Sequence, residues 1–180
     1  MPRAEIIGPF PAGADPEAYD QLRRRVLWRF PSGIYALGTR SGEERNLMTC
    51  NWITQVALQP KLVAVSVERT ARTHELLVAG GAFCVSVISR DDRALVRRFV
   101  KPTEHDAFAH TLAGVAYRDA PVTGSPFVEA AVAYADCSLR ERIECGSHTL
   151  FVGEVVDANV AGAPEAEVLR MEDTRMNYGG

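Results

Sequence analysis

The chain has 180 residues, enough for one domain with its own core. With 47% hydrophobic and 24% charged residues it is not a disordered chain. Its 20 Lys and Arg against 23 Asp and Glu leave a net charge of -3, which argues against a nucleic-acid binder, because phosphate contacts need clustered positive charge.

No apolar run approaches the ~18 residues of a membrane span. Residues 1–20 contain no apolar signal core, so a cytoplasmic location and no membrane association are expected. Residues 1–14 are rich in proline and glycine and are expected to form an extended arm. A domain over 15–170 and a polar tail over 171–180 follow. Asp15 and Pro16 open a helix as cap and first helical residue. Tyr19, Leu22 and Val26 give it an apolar face, and Arg23, Arg24 and Arg25 form a solvated one.

After this helix the pattern becomes strand-like. Residues 33–39 read as a strand and 40–44 as a hairpin loop. Residues 45–58 and 62–67 read as two further strands, broken at Pro60. Residues 71–79 form a short helix with Leu76 and Leu77 inward, and 83–88 a strand. Residues 91–99 are helical, with Leu95, Val96 and Phe99 on the buried face. From Asp136 to Cys145 the chain alternates, with Cys137, Leu139, Ile143 and Cys145 on the apolar side. Gly146 and Ser147 make a turn, and residues 148–158 return as an apolar strand. So many strands with few helices predict a mainly β fold, a closed or nearly closed antiparallel barrel, because closure removes unpaired edges. Cys50, Cys84, Cys137 and Cys145 form no CxxC pair and read as buried reduced thiols.

Several chemistries are missing. The chain has neither glycine-rich phosphate loop nor a GxSxG elbow. His74, His105, His110 and His148 include no i, i+4 pair, so a helical metal site is unsupported. Three segments remain. Asn46, Thr49, Asn51 and Thr54 interrupt what is otherwise a core strand, and buried polar groups need partners. A flat heteroaromatic ligand supplies several; an ordinary strand with one polar face is the alternative. Arg69, Thr70, Arg72 and Thr73 lie where a strand ends and a helix begins, which suits a phosphate. A plain cap by Thr70 or Thr73 is the alternative there. His148 follows a tight turn at a sheet rim, as a ligand contact or a bland rim residue.

The segment Met48-Thr-Cys-Asn-Trp-Ile-Thr-Gln-Val-Ala-Leu-Gln-Pro-Lys-Leu-Val63 resembles the flavin reductase-like proteins that bind FMN on a split β-barrel. Thr49, Asn51, Thr54, Val56, Leu58, Pro60, Leu62 and Val63 carry the match. Pro31-Ser-Gly33, Thr73, residues 81–88 and 95–99, Thr123-Gly-Ser-Pro126 and Gly146-Ser-His148 follow in the family's order. Three positions depart from it. Ala71 stands for a frequent serine, Ser147 for an aspartate and Trp52 for a small residue. The resemblance implies a homodimeric split-barrel domain holding FMN, or FAD, near the subunit interface. It places the ring along residues 48–54 and the phosphate at 69–73. The implied contacts are Asn46, Met48, Thr49, Cys50, Asn51, Trp52, Thr54, Arg69, Thr70, Arg72, Thr73 and Phe99, with Tyr178 of the tail as a lid. His148 is the implied contact to nicotinamide or flavin. The implied activity is hydride transfer from NAD(P)H to flavin. Electrons then pass to free flavin, a partner monooxygenase, ferric iron or oxygen. An FMN electron carrier without direct NAD(P)H reactivity, and a scaffold for another planar ligand, are the competing readings.

Overall fold

The computed structural model describes residues 8–163 and 165–174. The chain divides into two compact units, Ser32–Thr174 and one whose described part is residues 8–31. In the smaller, helix α1 (Pro16–Leu27) begins as the sequence indicates: the Asp15 carboxylate accepts the Ala18 N–H at 2.8 Å. Asp20 pairs with Arg23 at 2.7 Å and Arg24 at 3.2 Å, and the Arg23 guanidinium lies over the Phe10 and Tyr19 rings. Leu22 and Val26 stay about half exposed, so the apolar face exists but is not sealed.

The larger unit is built from β1 (Tyr35–Ser41), β2 (Glu44–Cys50), β3 (Ile53–Leu58), β4 (Lys61–Glu68), helix α2 (Arg72–Gly80) and β5 (Ala82–Val87). Then come β6 (His105–Asp106), β7 (Thr111–Leu112), β8 (Val115–Asp119), β9 (Pro126–Val128), β10 (Ala133–Cys145) and β11 (His148–Val160). All ladders are antiparallel. A seven-stranded sheet has the order β2-β1-β5-β10-β11-β4-β3, and a smaller one the order β6-β7-β8-β9. Among the described residues, no helix is long and apolar enough to cross a membrane.

One connection shapes the large sheet. β2 and β3 lie at its opposite edges, yet only Asn51 and Trp52 join them. Three peptide steps span at most about 11 Å, so the sheet must curl until its two edges nearly meet. Residues 45–58, expected as one strand, are therefore two. The first half pairs with β1 and the second with β4, and the chain turns between them without Gly or Pro.

The core fills the concave side. Leu37, Val65, Val67, Phe83, Cys137 and Phe151 are fully buried, and α2 adds Leu77 to the same cluster. Each buried phenylalanine contributes roughly 2–3 kcal/mol. Gly38 of β1 is needed because an added Cβ would overlap the Pro126 carbonyl oxygen. Gly42, with φ +57°, begins the two-residue turn between β1 and β2.

Three further expectations are corrected. Residues 91–99 form two short 3-10 turns (Arg90–Asp92 and Leu95–Phe99) rather than one helix, although Val96 and Phe99 are buried as expected. Arg140 is a bulge, since Leu139 faces Gly153 while Glu141 faces Val152. Beyond it every residue of β10, from Arg140 to Cys145, is exposed, so Ile143 and Cys145 lie outside the core instead of inward. Asp136, read as outward, is fully buried and accepts from the Val122 and Thr123 N–H groups and the Thr123 hydroxyl. It folds the loop before β9 onto the sheet.

Candidate functional site

Several chain segments meet at one end of the curled sheet. The link Asn51–Trp52 leaves β2 there, and the Trp52 carbonyl accepts the Ser66 N–H of β4 at 3.0 Å. β4 ends opposite the start of β11, with Glu68 paired to His148. The Arg69 N–H then donates to the Ser147 carbonyl at 3.0 Å. The exposed Trp52 indole lies 4.9 Å from the His148 ring, tilted by 56°. The Ser147 hydroxyl sits 2.9 Å from His148 Nδ1. It fixes the ring where the family resemblance leads one to expect a carboxylate.

Helix α2 starts at the same place. Its N-cap is Ala71, and among the described residues no side chain caps its first turn; neither Thr70 nor Thr73 does so. The His74 N–H donates to the Ala71 carbonyl at 3.0 Å, which leaves the Arg72 and Thr73 N–H groups and the partial positive charge of the helix start for an anion. Thr73 is instead tied inward: Asn46 Nδ2 donates to its hydroxyl at 2.8 Å. Asn46 Oδ1 accepts from the Thr103 N–H and hydroxyl, both at 2.9 Å. One buried carboxamide therefore joins β2, the start of α2 and the chain after the second 3-10 turn.

The sequence-indicated residues fall into distinct groups. Asn46 and Thr49 do not await a ligand. Asn46 is satisfied as described, and the Thr49 hydroxyl donates to the Val96 carbonyl. The reason is general: once buried, such groups must be paired, and here two neighbouring segments supply the partners. Phe99 is fully buried and is a core residue rather than a surface for a ring. Cys50 is buried, and burial pushes its thiol up to about 12, so it stays protonated. Met48 is half-buried against the core. Asn51 is 8% exposed, and its carboxamide, which no described residue hydrogen-bonds, keeps contact with solvent, whereas the buried Thr39 hydroxyl has no partner among the described residues. Thr54 and Thr70 are exposed. Arg69 lies 3.6 Å from Glu144, and Arg72 is held by both Glu44 and Glu75. Tyr178 lies outside the described residues.

Sequence reasoning missed His74 and Thr103. His74 Nε2 lies 2.9 Å from the Thr149 hydroxyl, between α2 and β11. Burial, followed by the charges of Arg69 and Arg142, holds its imidazole below the ordinary value. Thr103 is 57 positions from Asn46, and no local pattern links them. A cavity of about 340 Å³ lined by His110, Tyr117, Arg118, Asp119 and Glu129 belongs to the small sheet and shares no residue with this site. Among the described residues, no three His, Cys, Asp or Glu side chains could hold a metal.

Residues 27–179 match the flavin reductase like domain. An NADH-dependent FAD reductase of Streptomyces globisporus is 36% identical over 156 residues, covering 85% of this chain and 82% of that protein. A flavin reductase of Pseudomonas putida is 32% identical over 178 residues, covering 98% and 95%. The solved structure of the Streptomyces globisporus NADH:FAD oxidoreductase aligns with a TM-score of 0.73 at 32% identity, covering 90% of this chain and 93% of that one. The styrene monooxygenase flavin reductase of Pseudomonas putida aligns with a TM-score of 0.68 at 28% identity, covering 82% and 90%. With the family's domain matched over most of its length, the chain belongs to the flavin reductase like family.

Proposed function

We propose that the chain is an NAD(P)H-dependent flavin reductase, acting in the cytoplasm as a homodimer of split β-barrels, with FMN as its flavin. The observation that carries this reading is the pairing of an uncapped α2 N-terminus with the Asn51 carboxamide, solvent-touching and without a hydrogen bond among the described residues, beside the mouth where Trp52 and His148 meet. These residues fit a planar ring with an anionic tail. Asn51 offers both donor and acceptor to a ring edge. Met48, Trp52 and Thr54 frame the surface around it, with Cys50 buried behind them. The Arg72 and Thr73 N–H groups at the start of α2, with Arg69 and Thr70, hold the phosphate. Arg72 joins them only by leaving Glu44 and Glu75.

A bound flavin supplies the hydride acceptor for dihydronicotinamide and the route for electrons onward. The protein's own work is binding, orientation and exclusion of water. The Trp52 indole covers apolar ring surface. His148, steadied by Ser147, is the rim contact for nicotinamide. No side chain need act as a nucleophile. The solved relatives include the flavin reductase components of a styrene monooxygenase and of a two-component tryptophan halogenase. By analogy, reduced flavin leaving this site serves a separate oxygenase or halogenase, ferric iron or oxygen.

The test is steady-state oxidation of NADH and NADPH by the purified protein, with FMN or FAD supplied, beside a titration of each flavin. Saturable flavin binding and protein-dependent oxidation support the reading. Tight FMN binding with fast reduction by a reductase partner and none by NAD(P)H would make the chain an electron carrier instead. A protein that takes up no flavin overturns both.

A further inference from the structure

The cavity of about 340 Å³ in the small sheet has the size of a small-molecule site and shares no residue with the mouth described above. Its floor is fixed by bonds to other elements. Tyr117 is buried, and its hydroxyl lies 2.9 Å from His105 Nε2. Asp119 accepts two hydrogen bonds from the Arg45 guanidinium of β2, at 2.9 and 2.8 Å. The His110 imidazole stacks on the Tyr117 ring, with centroids 4.2 Å apart and planes within 17°. His110 keeps this place with φ +55°, a backbone conformation uncommon outside glycine. The residue is otherwise exposed, so the outer face of its ring is a flat surface bordering the cavity.

Two charges of the lining are uncompensated. Arg118 and Glu129 are both exposed, and among the described residues neither has an ion pair or a side-chain hydrogen bond. Arg118 is paired with Phe127 in the ladder, and the Glu129 N–H donates to the Ala116 carbonyl at 3.0 Å. The two side chains therefore leave the same face of the sheet as diagonal neighbours, with backbones about 7–8 Å apart. They do not meet, although both border one cavity. Asp119, the other carboxylate of the lining, is already held by Arg45. A simple anion would be drawn to Arg118 and repelled by Glu129, and a simple cation the reverse. A zwitterion satisfies both.

We propose that this cavity binds a free aromatic α-amino acid. Arg118 takes the carboxylate with its guanidinium fork, Glu129 takes the ammonium, and the ligand's ring stacks on His110. The inference stands apart from the flavin reductase reading and does not depend on it.

The test is calorimetric titration of the full chain with L-phenylalanine and with three analogues that each lack one feature: phenethylamine (no carboxylate), 3-phenylpropionate (no ammonium) and L-alanine (no ring). L-Phenylalanine is expected to bind saturably with a Kd below about 1 mM. Each analogue is expected to bind at least about fivefold more weakly. Arg118→Gln is expected to weaken L-phenylalanine about fivefold while leaving phenethylamine within about twofold. Glu129→Gln is expected to weaken L-phenylalanine equally while leaving 3-phenylpropionate within about twofold. Unchanged thermal melts show that both variants keep the fold. No binding of L-phenylalanine up to about 10 mM, or equal losses for the amino acid and the matching analogue, overturns the inference. Displacement of L-phenylalanine by FMN also overturns it, because the amino acid would then sit at the flavin mouth. A protein that takes up no flavin and still binds L-phenylalanine through Arg118 and Glu129 removes the flavin reading alone.

Discussion

Replacing Asn46 by alanine tests how the start of α2, the proposed phosphate end of the site, is held. The substitution removes three hydrogen bonds, one to Thr73 and two from Thr103. Thr73 is almost fully buried, so its hydroxyl loses a partner that water cannot easily replace, at about 1–3 kcal/mol. Thr103 is half-buried, and water recovers part of what its two donors lose. With the small void added, the cost is about 3 kcal/mol. For a domain of this size that lowers Tm by about 6–12 °C. The functional effect is selective. Freeing Thr73 loosens the first turn of α2, so FMN affinity is expected to fall about tenfold, while riboflavin, which lacks the phosphate, changes less than about threefold. Thermal melts and parallel FMN and riboflavin titrations read both effects. A Tm drop below about 2 °C, or equal losses for the two flavins, would refute the reasoning.

Gly38→Ala drives a methyl group into the Pro126 carbonyl oxygen and forces β1 and β9 apart. A loss of about 4 kcal/mol, seen as a Tm lowered by more than about 8 °C or as insoluble protein, is expected; an unchanged melt contradicts the close approach. His74 gives a pH dependence of known sign. Its imidazole titrates below 6.5 in the folded chain, chiefly through burial, so the unfolded chain protonates first as pH falls. Its contribution is complete above 6.5 and is lost as pH drops from 6.5 toward the folded-state value. His74→Gln should therefore flatten the fall in Tm between about pH 7.5 and about pH 5.5, and equal slopes in the two proteins count against it.

The sequence made the strand-rich architecture legible because β1, β4, β5 and β11 carry long apolar runs, and because Gly42 and Gly146 mark their turns. Helix α2 was legible from Leu76 and Leu77, and α1 from Asp15 and Pro16. The break at Asn51–Trp52 was hidden. No turn residue marks it, and it exists only because β2 and β3 belong to opposite edges of the same sheet. Ile143 and Cys145 are exposed because the whole end of β10, from Arg140 to Cys145, lies outside the core, which no alternation pattern reveals. β6 to β9, at two to five residues each, are too short for period-two patterning to register. At the site, polar residues in a strand were a true signal of something unusual. The signal could not separate Asn46 and Thr49, whose partners are protein, from Asn51, whose carboxamide has none among the described residues. That difference lies in contacts to Thr73, Val96 and Thr103, all far away in sequence.

The most direct measurement is anaerobic rapid mixing of the FMN-loaded protein with NADH, following the visible flavin band. Hydride transfer at the mouth formed by Asn51, Trp52, His148 and the start of α2 should bleach the band within about a second. Bleaching no faster than that of FMN and NADH mixed without protein would contradict it.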